Sequence, residues 1–228
     1  MRTPKRGKID VFGDSQTGGM SGPIRRYYQS LGYDGRKDVI IAPKNYARYR
    51  NIEDLIDTFE YNPNDQIIIA SLGGPESRND RLADHENRAK GLVKKLRGHK
   101  NRGVNVTVFG NPRGNKEAYF GNRKKIDDLQ KETFKDFNYT STYEASSNIQ
   151  GPTGDVHYGG KYQQLFDQAL KPTLSGSAPK TPNIKPAKSP KVASASASTA
   201  KPAQPAPAQP ATQDLSRIPP AMRKYDAL

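Results

Sequence analysis

Residues 9–15 read IDVFGDS. Ile9, Val11 and Phe12 are large and apolar, and Gly13-Asp14-Ser15 stops the run with turn residues. That pattern marks a short buried strand ending in a sharp turn. It recurs at Val39–Ala42, Gln66–Leu72 and Val104–Phe109, with a weaker fifth strand in Asn138–Tyr143. Helical patterns lie between these runs. Pro23–Leu31 begins with proline and is followed by Gly32, which suits a helix start and a left-handed stop. Ile52, Leu55, Ile56 and Phe59 keep a 3.6-residue spacing after a candidate Asn51 cap. Ala89, Leu92, Val93 and Leu96 form the apolar side of a longer, charged helix from Leu82 to Leu96. Ile126, Leu129, Thr133 and Phe137 make a weaker stripe, and Tyr162, Leu165, Phe166 and Ala169 a good one. Strict alternation of strand and helix predicts a mostly parallel five-stranded sheet sandwiched between helices.

Composition divides the chain. Hydrophobic residues make up 33% of its 228 residues, lean for a globular protein. From Lys171 onward there are nine Lys or Arg, two Asp and eleven of the eighteen prolines. Such a stretch cannot bury enough apolar surface to offset its ordering entropy. The expected organisation is a domain over 1–170, a disordered Pro/Ala/Lys-rich linker over 171–213, and a short docking segment over 214–228. In that last segment Leu215, Ile218, Met222, Tyr225 and Leu228 recur at three- to four-residue spacing, a pattern that a protein partner could order.

The net charge is +14. A surface this basic attracts nucleic acid, anionic lipid or acidic polysaccharide. No helix carries a one-sided run of Arg and Lys and no recognition-module motif is present, so a nucleic-acid partner is not expected. The chain has no cysteine, which excludes disulfides, a thiolate nucleophile and Cys-type zinc sites. No apolar run is long enough to span a membrane. The basic start, residues 1–8, precedes a five-residue strand pattern rather than the longer apolar core of a secretory signal. The expectation is a product that is cytoplasmic as synthesised.

In parallel α/β sheets, ligands bind beyond the carboxyl ends of the strands. The residues there are Gly13-Asp14-Ser15, Gly73-Gly74 through Asn79-Asp80, Gly110-Asn111-Pro112, and Gly154-Asp155-Val156-His157. Ser15 follows a strand at a Gly-rich turn, where backbone N–H groups can face a developing oxyanion. Its hydroxyl needs a base. Of the three histidines, His85 sits in a charged helix and His99 among Lys and Arg, so both read as solvated surface. His157 stands in a Gly-flanked loop with Asp155 two residues before it, and a carboxylate there can fix an imidazole tautomer. Asp14 and Ser15 as plain turn caps, and Asp155 as a helix-start residue, are the alternatives at these positions.

The chain resembles the SGNH (GDSL-type) hydrolases over most of residues 8–170. VFGDSQTGG matches the nucleophile block, IIIASLGGPESRND resembles the third block, and GPTGDVHYGGKY looks like the terminal Asp/His block. Two spacings depart from the family pattern. Asp155 stands two residues before His157 instead of three, and four residues separate Gly74 from Asn79 where the family has one. The second-block glycine is either Gly32 or Gly35. The resemblance implies a three-layer α/β sandwich of flavodoxin-like type and a serine esterase or deacetylase acting on acyl or acetyl esters, with a small molecule or a cell-envelope glycan as substrate. It assigns Ser15 as nucleophile, His157 as base and Asp155 as its partner, with the Ser15 amide, Gly74 and Asn79 as oxyanion donors. It calls for no cofactor and no metal. Arg78 and Arg113, near strand ends, are candidates for holding an acidic sugar. The alternative is a non-catalytic carbohydrate-binding module, or a structural or assembly protein of a phage virion.

Overall fold

A computed structural model describes residues 7–74, 82–113, 122–150 and 157–177, all within the compact unit Met1–Ala178. Five strands form one sheet: β1 (Ile9–Gly13), β2 (Val39–Pro43), β3 (Gln66–Ser71), β4 (Asn105–Phe109) and β5 (Tyr139–Thr140). Their order is β2-β1-β3-β4-β5, and every pairing is parallel. The β5 strand is only two residues long. Asn138 before it is left-handed (φ 53), and Ser141 after it caps the next helix by accepting from the Glu144 amide.

The helices are α1 (Ser15–Ser30), α2 (Tyr49–Ile56), α3 (His85–Asn101), α4 (Arg123–Thr133), α5 (Thr142–Ala145), α6 (Tyr162–Leu165) and α7 (Lys171–Ser177). A π-helical turn, Phe166–Leu170, joins α6 to α7. It falls just before Pro172, which has no N–H to donate and whose ring crowds the preceding turn. The helical part therefore runs past the expected domain end at 170, and Leu174 is fully buried. The remainder of the expected linker and the docking segment lie outside the described residues.

Alternation along the strands feeds two cores. Ile9, Val11, Val39, Ile41, Ile68 and Ala70 face α1 and the C-terminal helices, where they meet Ile24, Tyr28, Phe166 and Leu174. Phe12, on the opposite face of β1, packs edge-on against Phe59 at 5.5 Å. Both faces of the sheet are covered, which is why these strands are nearly continuous apolar runs.

Three helical expectations change. The first helix begins at Ser15 rather than Pro23, with Pro23 inside it. An interior proline costs about 3 kcal/mol, but Met20, Ile24 and Tyr28 are each fully buried. Burial of such side chains contributes roughly 1.5–3 kcal/mol apiece, so packing wins. The buried face of α4 is Arg123, Ile126, Asp127 and Gln130, while Leu129 is exposed. Neither His85 nor His99 is a solvated residue. They complete the buried stripe of α3 with Ala89, Leu92 and Leu96. His99 packs edge-on to Tyr61 at 4.7 Å. The His85 ring bridges the Tyr49 hydroxyl (3.0 Å) and Thr133 Oγ1 (3.2 Å).

Burial holds the His85 imidazole down to about 4, against an ordinary value of 6.5. Between those values the unfolded chain carries a proton that the folded chain does not. Stability should therefore fall as pH drops from 6.5 towards 4, by about 3 kcal/mol at the limit. Urea titrations across that range should show the slope, and His85→Gln should flatten it. An unchanged slope in the variant would place the acid sensitivity elsewhere.

Candidate active site

The strand order reverses direction between β1 and β3, and an open crevice forms at the carboxyl ends of strands at such a switch point. Both sides of this crevice are polar. From β1 come Asp14 and Ser15. From β3 come Ser71 and the residues through Gly74. Gly13 makes the strand-to-helix turn possible, because a β-carbon there would stand 2.0 Å from Thr17 Oγ1 and 2.8 Å from the Ser71 carbonyl oxygen.

Ser15 is the first residue of α1, and Asp14 is its cap. Asp14 Oδ1 accepts from the Gln16 amide at 2.9 Å, and the Asp14 carbonyl accepts from the Thr17 amide at 3.0 Å. The Ser15 amide of this same first turn has no partner among the described residues. Helix starts leave such N–H groups facing outward, with the positive end of the helix dipole behind them.

The structure brings Ser15 and His157 together. Ser15 Oγ lies 2.9 Å from His157 Nε2, across 142 residues of chain. Two tyrosines beyond the histidine hold it there. Tyr158 is buried and its hydroxyl donates to the Arg113 carbonyl. The Tyr162 hydroxyl donates to Gln16 Oε1 at 2.8 Å, tying α6 to the turn that carries Ser15.

Asp14 is more than a turn cap. Its second oxygen accepts from Asn111 Nδ2 at 2.9 Å, and the same amide group lies 3.0 Å from Ser71 Oγ. Burial pushes the Asp14 carboxyl up from its ordinary value, opposed by the Gln16 amide, the Ser71 hydroxyl and the charges of Arg123 and His157. Arg123 is itself buried, with Nη1 donating to the Pro112 carbonyl at 2.7 Å. Gly74 closes over this cluster, since a β-carbon there would stand 2.8 Å from Asp14 Oδ2 and 2.9 Å from Asn111 Nδ2.

Gly74 thus stands in the crevice where the sequence placed it, whereas Asp155, Asn79 and Arg78 lie outside the described residues. Arg113 sits over the Tyr143 ring, 5.6 Å from its centre. Gly32 and Gly35 follow the carboxyl end of α1 and precede β2, so both occupy the opposite edge of the sheet from Ser15. Neither can serve the crevice. Asn111, Ser71 and Arg123 were not singled out as site residues. Asn111 carried one signal, its place directly after a strand. Among the described residues no group of three or more His, Cys, Asp or Glu side chains is arranged to hold a metal ion, and no helix is long and apolar enough to cross a membrane.

No protein-family model matches the sequence, and no curated protein matches it. Solved structures do. The fold is similar to a lipase/acylhydrolase from Enterococcus faecalis, at 16% identity over 71% of this chain and 92% of that one, with a TM-score of 0.52. It is similar to the C-terminal catalytic domain of Streptococcus pneumoniae peptidoglycan O-acetyltransferase A (12% identity, 75% and 94% coverage, TM-score 0.54). A GDSL-like lipase from Bacteroides thetaiotaomicron gives 11% identity, 77% and 91% coverage, and a TM-score of 0.53.

Removing the Asn111 amide leaves Asp14 Oδ2 buried without that donor, a loss of about 1–3 kcal/mol. Asn111→Ala should lower the unfolding free energy by that amount in urea titration. Combined with Asp14→Asn, its effect should be non-additive by about 0.5 kcal/mol or more, as expected for contacting residues. Strict additivity would mean that the contact contributes nothing.

Proposed function

We propose that this chain, which has the SGNH hydrolase fold, is a serine hydrolase of acyl esters. The observation that carries the reading is the 2.9 Å contact between Ser15 Oγ and His157 Nε2, at the switch-point crevice. A histidine at that distance can take the hydroxyl proton as oxygen attacks an ester carbonyl, then return it to the leaving alcohol. The attack converts the carbonyl oxygen to an oxyanion. The Ser15 amide, at the start of a 16-residue helix, supports that charge by hydrogen bond and dipole. Gly74 and Asn79 are the further donors in this reading. Water then releases the acyl group by the same proton route, with no cofactor or metal required.

Asp155, two residues before His157, serves as the acceptor that orients the imidazole. Asp14 takes a different part. Its oxygens are committed to Gln16 and Asn111, so it holds the turn that presents Ser15. The similar structures include a lipase/acylhydrolase, a GDSL-like lipase and a peptidoglycan O-acetyltransferase domain, all consistent with acyl-group chemistry at such a site.

A fluorophosphonate probe should label the protein, and Ser15→Ala should abolish labelling. Turnover of a short-chain aryl ester should drop by roughly 10³ or more in Ser15→Ala and in His157→Ala. Asp155→Asn should lower the rate while leaving the melting temperature in place. Undiminished hydrolysis by Ser15→Ala would sink the assignment.

A further inference from the structure

We propose that the groove between α2 and α3 is a subsite for an acidic glycan, a polyhydroxylated chain bearing carboxylates. This deepens the ester-hydrolase reading, and as a substrate subsite it rests on it. The groove measures about 880 Å³, within the roughly 300–1,000 Å³ range of ligand clefts. In a parallel sandwich each helix runs back against the strand before it, so α2 and α3 begin at the same sheet edge as Ser15. The chain connects the two places closely. The Lys44 amide donates to the Gly13 carbonyl at 2.9 Å, and Tyr46, which lines the groove, follows two residues later.

Tyr46 is 79% exposed, and it and Leu129 are the exposed large hydrophobic side chains among the described residues. Its backbone is left-handed (φ 55), a conformation that costs a bulky residue about 1–3 kcal/mol. The fold holds a tyrosine in a strained conformation and out in water, at the mouth of a polar groove. A ring so placed offers a flat apolar face to the C–H side of a sugar and keeps its hydroxyl wet.

Charge selects among sugars. Lys95 is paired with Asp57, and Arg88 with Asp84. Arg48 and Arg50 also line the groove and are exposed. Among the described residues neither guanidinium forms a salt bridge, although the charge of Arg50 acts on Glu53. A guanidinium fork matches a carboxylate in two-point geometry. Glu53 and Asn87, which also line the groove, supply acceptors and donors for hydroxyl groups. Glu53, Asp54 and Asp57 interrupt the basic side chains along the groove, whereas a nucleic acid backbone calls for a continuous positive track.

The full chain should bind polygalacturonate in affinity electrophoresis and bind uncharged mannan more weakly. Tyr46→Ala and the double variant Arg48→Ala/Arg50→Ala should each weaken polygalacturonate binding by about tenfold or more. Turnover of a short aryl ester and the melting temperature should not change in these variants, which shows that they fold. The proposal is overturned if polygalacturonate does not bind, if the variants bind it as well as wild type, or if the same variants instead lose binding to a single-stranded DNA oligonucleotide. Absence of aryl-ester turnover in the wild type would count against the hydrolase reading alone, because the binding arms do not depend on Ser15.

Discussion

The ring of Tyr162 lies against the backbone of α1 at Gly19, where a β-carbon would stand 2.1 Å from a ring atom. No other residue type lets the two helices approach this closely without displacing the ring. The contact is extended along the pair by Arg26 to Gln163 (2.6 Å) and by Tyr27 against Phe166, with ring centres 5.7 Å apart. Ser15 stands four residues before Gly19 and His157 five before Tyr162. The spacing of the helices therefore decides whether hydroxyl and imidazole meet, and a methyl group at position 19 would act on the 2.9 Å contact without touching either partner. Close packing transmits such shifts because interiors have little free volume.

A second constraint lies under the crevice. Gln130 Nε2 donates to the Leu72 carbonyl at 3.1 Å, just past the end of β3, and to the Tyr49 hydroxyl at 2.8 Å. Tyr49 in turn meets His85. On the other side, the Tyr139 hydroxyl donates to Asp127 Oδ1 at 2.7 Å, and Ser141 donates to Asp127 Oδ2 at the same distance. These groups join β3, α2, α3, α4 and β5 into one buried polar network. Each member is costly to bury alone and is satisfied only by the others, so the network fixes one arrangement of the layers rather than adding much stability.

That network explains what could and could not be read from the sequence. Parallel strands buried on both faces are legible as unbroken β-branched runs, and four of the five strands were placed within a residue or two. Ser15 and His157 were legible because turn residues and a histidine fell where the strand pattern predicts a ligand edge. The inward faces of α3 and α4 were not. His85 and Gln130 look like surface residues until Tyr49 and Leu72 are in place to receive their hydrogen bonds. Periodicity instead selected Leu129, which is exposed. The start of α1 was hidden for a related reason: Gly18, Gly19 and Gly22 read as a loop, and only Tyr162 gives Gly19 a role inside a helix. Asn111 was visible as a residue after a strand, but its partner Asp14 is 97 residues away.

The same topology concentrates positive potential at one edge. α1, α2 and α3 all begin there, each adding the partial positive charge of a helix start, and buried Arg123 adds a full charge that acts on Asp14. Asp14 is buried at this edge, and burial raises its proton affinity more than its neighbours lower it. Protonation would leave the turn intact, since a neutral carboxyl can still accept from the Gln16 amide, and it would remove a negative charge from beside Ser15. An anion forming at Ser15 would then meet the helix start without an opposing carboxylate. Burial at Asp14 thus acts in the same direction as the helix starts, because it disfavours a negative charge beside the nucleophile.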